Sequence, residues 1–230
     1  MNAFFLESAT LGVVISLAGY LIGMAVKQRW KLPIFNPLLI AIVLVIAFLL
    51  LFQVDYEAYN SSAKYLGYLL TPATVSLAIP LYQKLALLKK NGAAIAVGIL
   101  AGVLTSMGSI LGMALLFKLS HAEYVTLLPK SITTAIGIGV AEELGGYATI
   151  TAAVIIITGV FGNMVAETLC KVFKIKDPVA RGLAIGAASH AIGTTKAMEM
   201  GETEGAMSSL AIVVSGLFTV LVAVVFAGFY

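Results

Sequence analysis

Long stretches without charged residues dominate the pattern of this chain. Six runs contain no Asp, Glu, Lys or Arg: 8–26, 32–54, 65–83, 91–117, 144–166 and 205–230. Each is near or above the roughly 20 residues with which an α-helix crosses a bilayer. None alternates apolar and polar residues as barrel strands do. Because backbone groups in lipid must be paired within the segment, we predict that all six runs are helices.

Two shorter uncharged runs have a different character. They read SITTAIGIGVA at 131–141 and GLAIGAASHAIGTT at 182–195, and charged residues flank both. Their length and their Ser, Thr and Gly content do not fit plain lipid-facing helices. We therefore predict an all-α polytopic membrane protein of about 7–8 membrane segments. It includes discontinuous or re-entrant helices and forms one integral membrane domain over 1–230.

Composition narrows the class of protein further. Hydrophobic residues make up 60% of the chain and charged residues 11%, against about 25% charged in an ordinary soluble domain. Cys170 is the only cysteine, which excludes a disulfide scaffold, and a net charge of +3 is too weak for nucleic-acid binding. The first charge, Glu7, is acidic, and no cleavable signal peptide is expected.

Clusters of Lys and Arg predict the orientation, since positive loops face the cytoplasm. Such clusters occupy 27–31, 84–90 and 171–181. They predict an outside N-terminus and an outside loop at 118–130. Only one net crossing fits between 118 and 167, so 131–141 is re-entrant or part of a broken helix. The run 182–195 then crosses, which puts the acidic loop 199–204 outside and the C-terminus inside.

The order of elements suggests an internal repeat. Residues 32–117 and 144–230 each contain three uncharged runs, and the middle run is interrupted in both halves. The interrupting residues are Pro72 and Pro80 in the first half, and Gly186, Gly193 and the Ser189–His190 pair in the second. Three crossings per half give the halves opposite orientations. This is the pattern of inverted-repeat transporters, which bind substrate where discontinuous helices meet.

Two breaks in the pattern carry candidate binding groups. Pro72 removes a helical N–H and frees a carbonyl for a hydroxyl or a substrate; a kink satisfied by Thr71 or a neighbouring helix is equally open. The stretch Pro129–Thr134 reads as a helix start whose Lys130, Ser131, Thr133 and Thr134 suit an anion. A lysine that reaches the membrane interface is the alternative for Lys130.

The second polar run adds a titratable side chain. Ser189, His190, Thr194, Thr195 and Lys196 repeat the Ser, Thr and Lys content of the first run. His190 titrates near neutral pH, so it is a candidate proton carrier; a neutral histidine that satisfies backbone groups is the alternative. No metal site is expected, since the only other histidine is His121 and no cysteines or acids cluster near His190.

Acidic and amide side chains complete the candidate set. Asn163 and Glu167 lie four residues apart and share a helix face. Polar groups in membrane helices usually face protein or a cavity, so Asn163 is predicted to be a buried polar group. Glu142 and Glu167 are candidate proton carriers beside His190. Glu167 at the cytoplasmic interface is the plainer alternative.

Four blocks of sequence resemble the LrgB/CidB family. They are Asn36-Pro37, LLTPATVSLAIPLY at 69–82, LLPKSITTAIGIGVAEELGG at 127–146 and ARGLAIGAASHAIGTTKAMEMGETEGAMSSLAI at 180–212. The family includes bacterial inner-membrane antiholin-like proteins and the membrane domain of the plastid glycolate/glycerate translocator. The resemblance implies the bacterial inner membrane and a small LrgA/CidA-type membrane partner. By analogy with other transporters, a homodimer is also permitted.

These observations favour a secondary transporter of small 2-hydroxy or 2-oxo monocarboxylates of the glycolate, glycerate and pyruvate class, either proton-coupled or exchanging. The expected substrate contacts are Thr71, Pro72, Lys130, Ser131, Thr133, Thr134, Ser189, His190, Thr194, Thr195 and Lys196. The alternative is a holin/antiholin-like protein that modulates murein hydrolase export and cell lysis. We expect no enzyme activity and no cofactor, since no nucleophile–base spacing or nucleotide loop occurs.

Overall fold

The computed structural model describes residues 5, 8–30, 32, 34–76 and 78–230. The side chains of Leu70, Thr71, Thr74, Pro80, Leu81, Leu85, Leu87 and Leu88 are outside this description. The predicted role of the Thr71 side chain therefore falls outside the described part. The described residues form helices and turns, as predicted for an all-α protein. They separate into two compact units, Met1–Ser76 and Leu77–Tyr230, and the prediction of one membrane domain over the whole chain stays a prediction.

The first unit is built on two helices that pack closely through glycines. Helix α1 spans Leu11–Trp30 and α2 spans Pro37–Leu51, and Asn36 caps α2 by accepting hydrogen bonds from the N–H groups of Leu38 and Leu39. A Cβ added at Gly23 would meet the backbone of Pro37. The close approach of α1 to α2 therefore depends on the missing side chain.

Short elements complete the first unit. Helix α3 spans Tyr56–Ala63, a 3₁₀ turn spans Lys64–Leu69, and α4 spans Leu70–Ser76. Pro72 is the third residue of α4, which follows the 3₁₀ turn without a gap. The predicted role of Pro72, a carbonyl freed for a hydroxyl or a substrate, stays a prediction.

The second unit contains the remaining helices. They are α5 Ala78–Gln83, α6 Leu85–Phe117, α7 His121–Leu127, α8 Thr134–Glu143, α9 Ala148–Val172, α10 Pro178–Met200 and α11 Glu202–Ala227. One face of α6 carries Ile95, Ile99, Val103, Met107, Ile110 and Ala114, all buried. This face packs with Ala206, Met207, Ala211, Ala223 and Ala227 of α11. The resulting core follows the three- and four-residue spacing expected of an amphipathic face.

Polar contacts define the two ends of the second unit. At one end, which we call the basic end, Lys84 pairs with Glu202 at 3.2 Å and Arg181 with Glu204 at 3.7 Å. At the other, which we call the Tyr230 end, the Tyr230 hydroxyl donates to the Leu119 carbonyl at 2.6 Å. Helices α6 and α11 therefore both run from the basic end to the Tyr230 end.

A capping box starts α7 at the Tyr230 end. The Ser120 hydroxyl accepts from the N–H of Glu123, and the Glu123 carboxylate accepts from the Ser120 N–H at 2.7 Å and from its hydroxyl at 2.8 Å. These hydrogen bonds, the backbone one first, hold the pKa of Glu123 below its ordinary value. The chain thus turns back into the bundle directly after α6 ends.

Helix α10 is a hairpin rather than a straight helix. His190 has φ 43° and ψ −142°, which breaks the helical path between 178–189 and 191–200. A Cβ added at Gly193 would lie 3.2 Å from Ile185 Cγ2, whereas residues eight apart in a straight helix are separated by about 12 Å. Ile185 and Ala197 also share one buried cluster with Ala166. The two legs therefore lie side by side, and we call 178–200 the His190 hairpin.

This geometry corrects the predicted topology. Arg181 at the start of the His190 hairpin and Lys196 near its end line the same cavity at the basic end. The prediction that 182–195 crosses the membrane is therefore wrong, because the chain enters and leaves at one end. Tyr230 and Leu119 share the Tyr230 end, an arrangement that does not fit the predicted opposite sides for 118–130 and the C-terminus; the topology of the termini stays a prediction. The absolute inside and outside assignment stays a prediction.

A second hairpin enters from the opposite end. The Thr126 hydroxyl of α7 accepts a hydrogen bond from the N–H of Tyr147 at 2.8 Å, and Thr151 donates to the Thr126 carbonyl at 2.9 Å. The start of α9 thus lies beside α7, and the chain returns by residue 147 to the end from which it departed. We call 121–143 the Lys130 hairpin; its turn covers 128–133. This hairpin is compatible with the prediction that 131–141 is re-entrant or part of a broken helix.

Four described helices are long and apolar enough to cross a membrane: Leu11–Trp30, Lys89–Phe117, Ala148–Val172 and Glu202–Ala227. The count of about 7–8 segments stays a prediction. So does the repeat of 32–117 and 144–230, whose halves fall partly in separate units. Within the second unit, a long helix followed by a hairpin occurs twice, and the two hairpins enter from opposite ends.

Candidate functional site

The tips of the two hairpins border one cavity inside the second unit. It has a volume of about 750 Å³, and its walls include Lys130 and Ser131 of one hairpin and Ala187 and Ala188 of the other. Helix α6 supplies the third wall. Discontinuous helices that meet inside a bundle are typical of substrate sites in membrane carriers. The cavity is therefore the candidate functional site.

Lys130 supplies the positive charge at this site. Its ammonium donates to the Ser131 hydroxyl at 3.1 Å, and Ser131 is itself 3.1 Å from the Ser106 hydroxyl of α6. Among the described residues, Lys130 forms no ion pair with a carboxylate. A half-buried cation without a carboxylate partner favours binding of an anion.

His190 forms the tip of its hairpin and is held on α9. Its side chain is 3% exposed, and Nε2 lies 3.0 Å from the Ile155 carbonyl. A carbonyl only accepts, so this geometry requires a hydrogen on Nε2. A Cβ added at Gly159 would lie 2.6 Å from His190 Cε1, and one at Gly162 would overlap the Ser189 hydroxyl. Two glycines of α9 thus provide the space for the tip.

Hydroxyl groups tie the second leg of the His190 hairpin to its neighbours. Thr194 donates to the His190 carbonyl at 2.9 Å, so the Ser208 hydroxyl, 2.7 Å away, donates to Thr194. Asn163 Nδ2 donates to the Ile192 carbonyl at 2.8 Å and to the Thr195 hydroxyl at 2.9 Å. The polar residues predicted at 189–195 therefore close the hairpin. Asn163 is only partly buried, and its predicted role as a buried polar group stays a prediction.

Lys196 lies in a different cavity from Lys130. Its ammonium is 2.8 Å from Glu167 Oε2 and 3.4 Å from Glu199 Oε2, in a cavity of about 250 Å³ at the basic end. Glu167 also pairs with Lys171 at 2.8 Å. Glu167 and Lys196 thus form an ion pair between α9 and the His190 hairpin. The described wall of the Lys130 cavity does not include Lys196.

The remaining predicted residues lie outside the cavity walls that the structure describes. The helix after Lys130 begins at Thr134 rather than Pro129, and Thr133 occupies the cap position without a side-chain capping bond. Glu142 is exposed in the last turn of α8. Gly145, two residues after this helix ends, has φ 83°, where glycine is favoured. Pro72 is an exposed residue of the first unit. Nothing in the structure tests whether these residues contact a substrate or carry a proton, so their roles stay predictions.

Sequence reasoning missed the contribution of α6. Gly98, Gly102, Thr105 and Ser109 line the cavity together with Ser106. Their spacing of three and four residues places them on one helix face. The signal was present in the sequence as small and hydroxyl residues at helical intervals, but it resembled ordinary close packing of membrane helices.

Fold and site together define a multi-pass, all-helical membrane protein with a cavity between opposed hairpins. Residues 16–229 match the LrgB-like family. The chain is 39% identical over 220 residues to the "Antiholin-like protein LrgB" of Bacillus subtilis (strain 168), and 37% identical over 219 residues to the protein of that name from Bacillus mycoides (strain KBAB4). Each match covers 95% of both chains. This chain therefore belongs to the LrgB-like family. No solved structure matches it.

Proposed function

We propose that this chain is an antiholin-like membrane protein that modulates murein hydrolase export and cell lysis. Its membership of the LrgB-like family supports this proposal. Relatives that match 95% of the chain carry the name antiholin-like protein, which supports it further.

Deletion of the chain in its host tests this role directly. We expect faster autolysis and more murein hydrolase activity in the culture medium, measured by turbidity and by zymography. Complementation with the intact chain restores both values. Unchanged lysis and unchanged hydrolase activity in the deletion strain would contradict the proposal.

A second candidate function is favoured by the cavity beside Lys130. We infer that the chain carries small 2-hydroxy or 2-oxo monocarboxylates of the glycolate, glycerate and pyruvate class, by exchange or with protons. The supporting observation is the Lys130 ammonium at a hairpin tip, inside a cavity of about 750 Å³ and without a described carboxylate partner. An organic anion suits that charge, and alternating movement of two opposed hairpins suits transport.

Exchange in liposomes tests the second candidate. Purified protein is reconstituted with unlabelled glycolate inside, and labelled glycolate, glycerate and pyruvate are added outside in turn. We expect saturable uptake that is faster with substrate inside and that responds to an imposed pH difference. Non-saturating leakage of unrelated solutes would instead favour a pore.

One variant connects the two candidates. If lysis changes because anion metabolism changes, a Lys130→Ala chain should reach the membrane but fail to restore normal lysis in the deletion strain. If the antiholin-like role is independent of anion binding, the same variant restores it. Membrane levels of the variant, measured by immunoblot, control for loss of the protein.

Location and partners belong to the proposal as well. We propose the bacterial inner membrane, with the N-terminus outside and the basic end of the second unit in the cytoplasm, because positive residues favour that side. Tyr230 would then lie outside, together with Lys118. A small LrgA/CidA-type membrane partner and a homodimer remain proposals. Co-purification and cross-linking of the tagged chain from its host test both.

A further inference from the structure

The ammonium of Lys130 lies where both an anion and water can reach it. It is in the turn of the Lys130 hairpin and lines the cavity together with Ser131 and Ser106. The same wall extends to Asp177, which is exposed at the basic end. Lys130 Nζ can therefore exchange a proton with water that enters the cavity from that end.

No described carboxylate neutralises this ammonium. Lys130 forms no ion pair among the described residues. Asp177 is the only acid in the described wall, and its carboxylate caps the His190 hairpin by accepting from the Ala180 N–H at 2.8 Å. The described wall residues of α6 are uncharged. Near the turn, α9 and α11 meet this hairpin at Ile155 and Gly216, which are also uncharged.

Alternating access makes an unpaired charge costly in the empty state. A carrier that returns without substrate must close the cavity around Lys130 and separate this side chain from water. An ammonium without a partner is costly to bury, so the group loses its proton instead. A bound carboxylate pairs with the ammonium and offsets this cost.

This inference rests on anion transport, the second candidate function. We propose that Lys130 carries the coupling proton, which Nζ holds while the anion is bound and releases when the site is empty. Each cycle then moves one carboxylate and one proton in the same direction and transfers no net charge. An acidic outside medium therefore drives uptake, whereas a membrane potential does not.

His190, which the sequence suggested as a proton carrier, is placed differently. Its side chain is 3% exposed, and Nε2 lies 3.0 Å from the Ile155 carbonyl. The described cavity wall reaches Ala188 of the same leg but does not include His190. A second proton on this ring would create a buried charge beside Ile155 and Gly159 without a described carboxylate partner.

The two acidic candidates also lie outside the described cavity wall. Glu167 pairs with Lys171 and Lys196, each at 2.8 Å, at the basic end. Glu142 is exposed in the last turn of α8. Of the four candidate groups, Lys130 is thus the one that lines the described anion cavity.

Replacement by arginine distinguishes exchange from proton-coupled uptake. A guanidinium keeps the positive charge for the anion but does not release its proton. Exchange requires movement of the loaded carrier only, whereas net uptake requires the empty carrier to return. Lys130→Arg should therefore keep glycolate exchange and lose the accumulation that an acidic outside medium drives.

Both activities are measured with labelled glycolate and the intact chain in liposomes, with and without an imposed membrane potential. Protein-free liposomes correct for uncharged glycolic acid that crosses the lipid. Lys171→Arg is the matched control, because this lysine is 72% exposed and lies outside the described wall of the Lys130 cavity. This control should accumulate glycolate as the unsubstituted chain does.

Calorimetry counts the protons without transport. Glycolate binding to the intact chain in lipid nanodiscs is measured in two buffers of different ionisation enthalpy, from about pH 6 to about pH 9. The chain should take up no proton per glycolate where the empty site is already protonated, and up to one at higher pH. There the Kd should rise about tenfold per pH unit. Lys130→Arg should bind glycolate without proton uptake.

The outcomes separate this inference from the transport function. Exchange without pH-driven accumulation in the intact chain would overturn the inference and leave the carrier function intact. Accumulation that Lys130→Arg retains would also overturn it, because another group would then carry the proton. If Lys130→Arg does not exchange, the calorimetric count on the intact chain decides, and no proton uptake at any pH would overturn the inference. Absence of both glycolate exchange and glycolate binding in the intact chain would overturn the second candidate function itself.

Discussion

The ammonium of Lys196 lies 2.8 Å from Oε2 of Glu167, although the two residues belong to different helices. Glu167 is near the end of α9, and Lys196 is on the second leg of the His190 hairpin. Lys171 and Glu199 extend the pair into a chain of alternating charges. Lys196 therefore acts, in this structure, as an attachment of the hairpin to α9.

Exchanging the charges of Lys196 and Glu167 distinguishes a role of Lys196 in attaching the hairpin from a role in binding substrate. Lys196→Glu and Glu167→Lys should each weaken the hairpin by about 0.2–1 kcal/mol, since Glu167 is 42% exposed and solvent screens the pair. The double exchange should recover most of the lost thermal stability and glycolate exchange activity. Both are measured on purified protein, in detergent and in liposomes respectively.

The double variant can also give the result that would contradict an attachment role for Lys196. If Lys196 contacts substrate directly, the double variant regains stability but not exchange activity. Lys174→Glu is a suitable control, because this exposed lysine lies in the turn after α9 and lines neither described cavity.

The sequence predicted the helical class and the places where helices are interrupted. Charge-free runs predict helices by length alone, and the polar runs at 131–141 and 182–195 correspond to the two hairpins. The direction of the His190 hairpin was not predictable from this pattern. Histidine is not a helix breaker, and a positive φ at a non-glycine residue is set by tertiary contacts, here with Ile155 and Gly159.

The candidate site was predicted in part for a similar reason. Lys130 and Ser131 stood out as polar residues in an apolar chain. Gly98, Gly102 and Thr105 of α6 did not, because small residues in membrane helices usually indicate packing. Lys130 faces an open cavity, whereas Lys196 pairs with an acid. This difference depends on neighbours that are distant in sequence.

Sidedness distinguishes a hairpin from a crossing. In a Cys170→Ala background, single cysteines are introduced as Lys176→Cys, Glu202→Cys, Lys118→Cys and Phe229→Cys, all at exposed positions. A membrane-impermeant maleimide should label 176 and 202 from one side and 118 and 229 from the other. Labelling of 176 and 202 from opposite sides would show that 178–200 crosses the membrane.

Glycines that face the hairpin tip should be intolerant of a methyl group. Gly159→Ala places Cβ 2.6 Å from His190 Cε1, and Gly162→Ala overlaps Ser189. Overpacking of this kind costs about 1–3 kcal/mol, so both variants should lower Tm and exchange activity. Gly108→Ala and Gly112→Ala have open space and should be neutral or stabilising by up to about 1 kcal/mol. Equal Tm values for all four variants would contradict the packing of the His190 hairpin tip against these glycines of α9.

His190 provides a test of proton coupling. His190→Ala leaves the Ile155 carbonyl without its donor, which should cost about 1–3 kcal/mol. His190→Gln can keep an N–H donor but cannot carry a proton. If His190 carries the coupling proton, the glutamine variant exchanges substrate but loses the response to an imposed pH difference. If the side chain only holds the tip, the glutamine variant keeps that response.

The charge of Lys130 should decide anion affinity. Lys130→Gln keeps a polar side chain of similar reach but removes the ammonium, and a hydrogen bond to a charged group contributes about 1.5–3 kcal/mol. The Kd for glycolate should therefore rise roughly ten- to hundredfold, while Lys130→Arg keeps most of the affinity. Lys171→Gln is the matched control, because that lysine is 72% exposed and lines the other cavity. An unchanged Kd in Lys130→Gln would show that the cavity beside Ser131 is not the anion site.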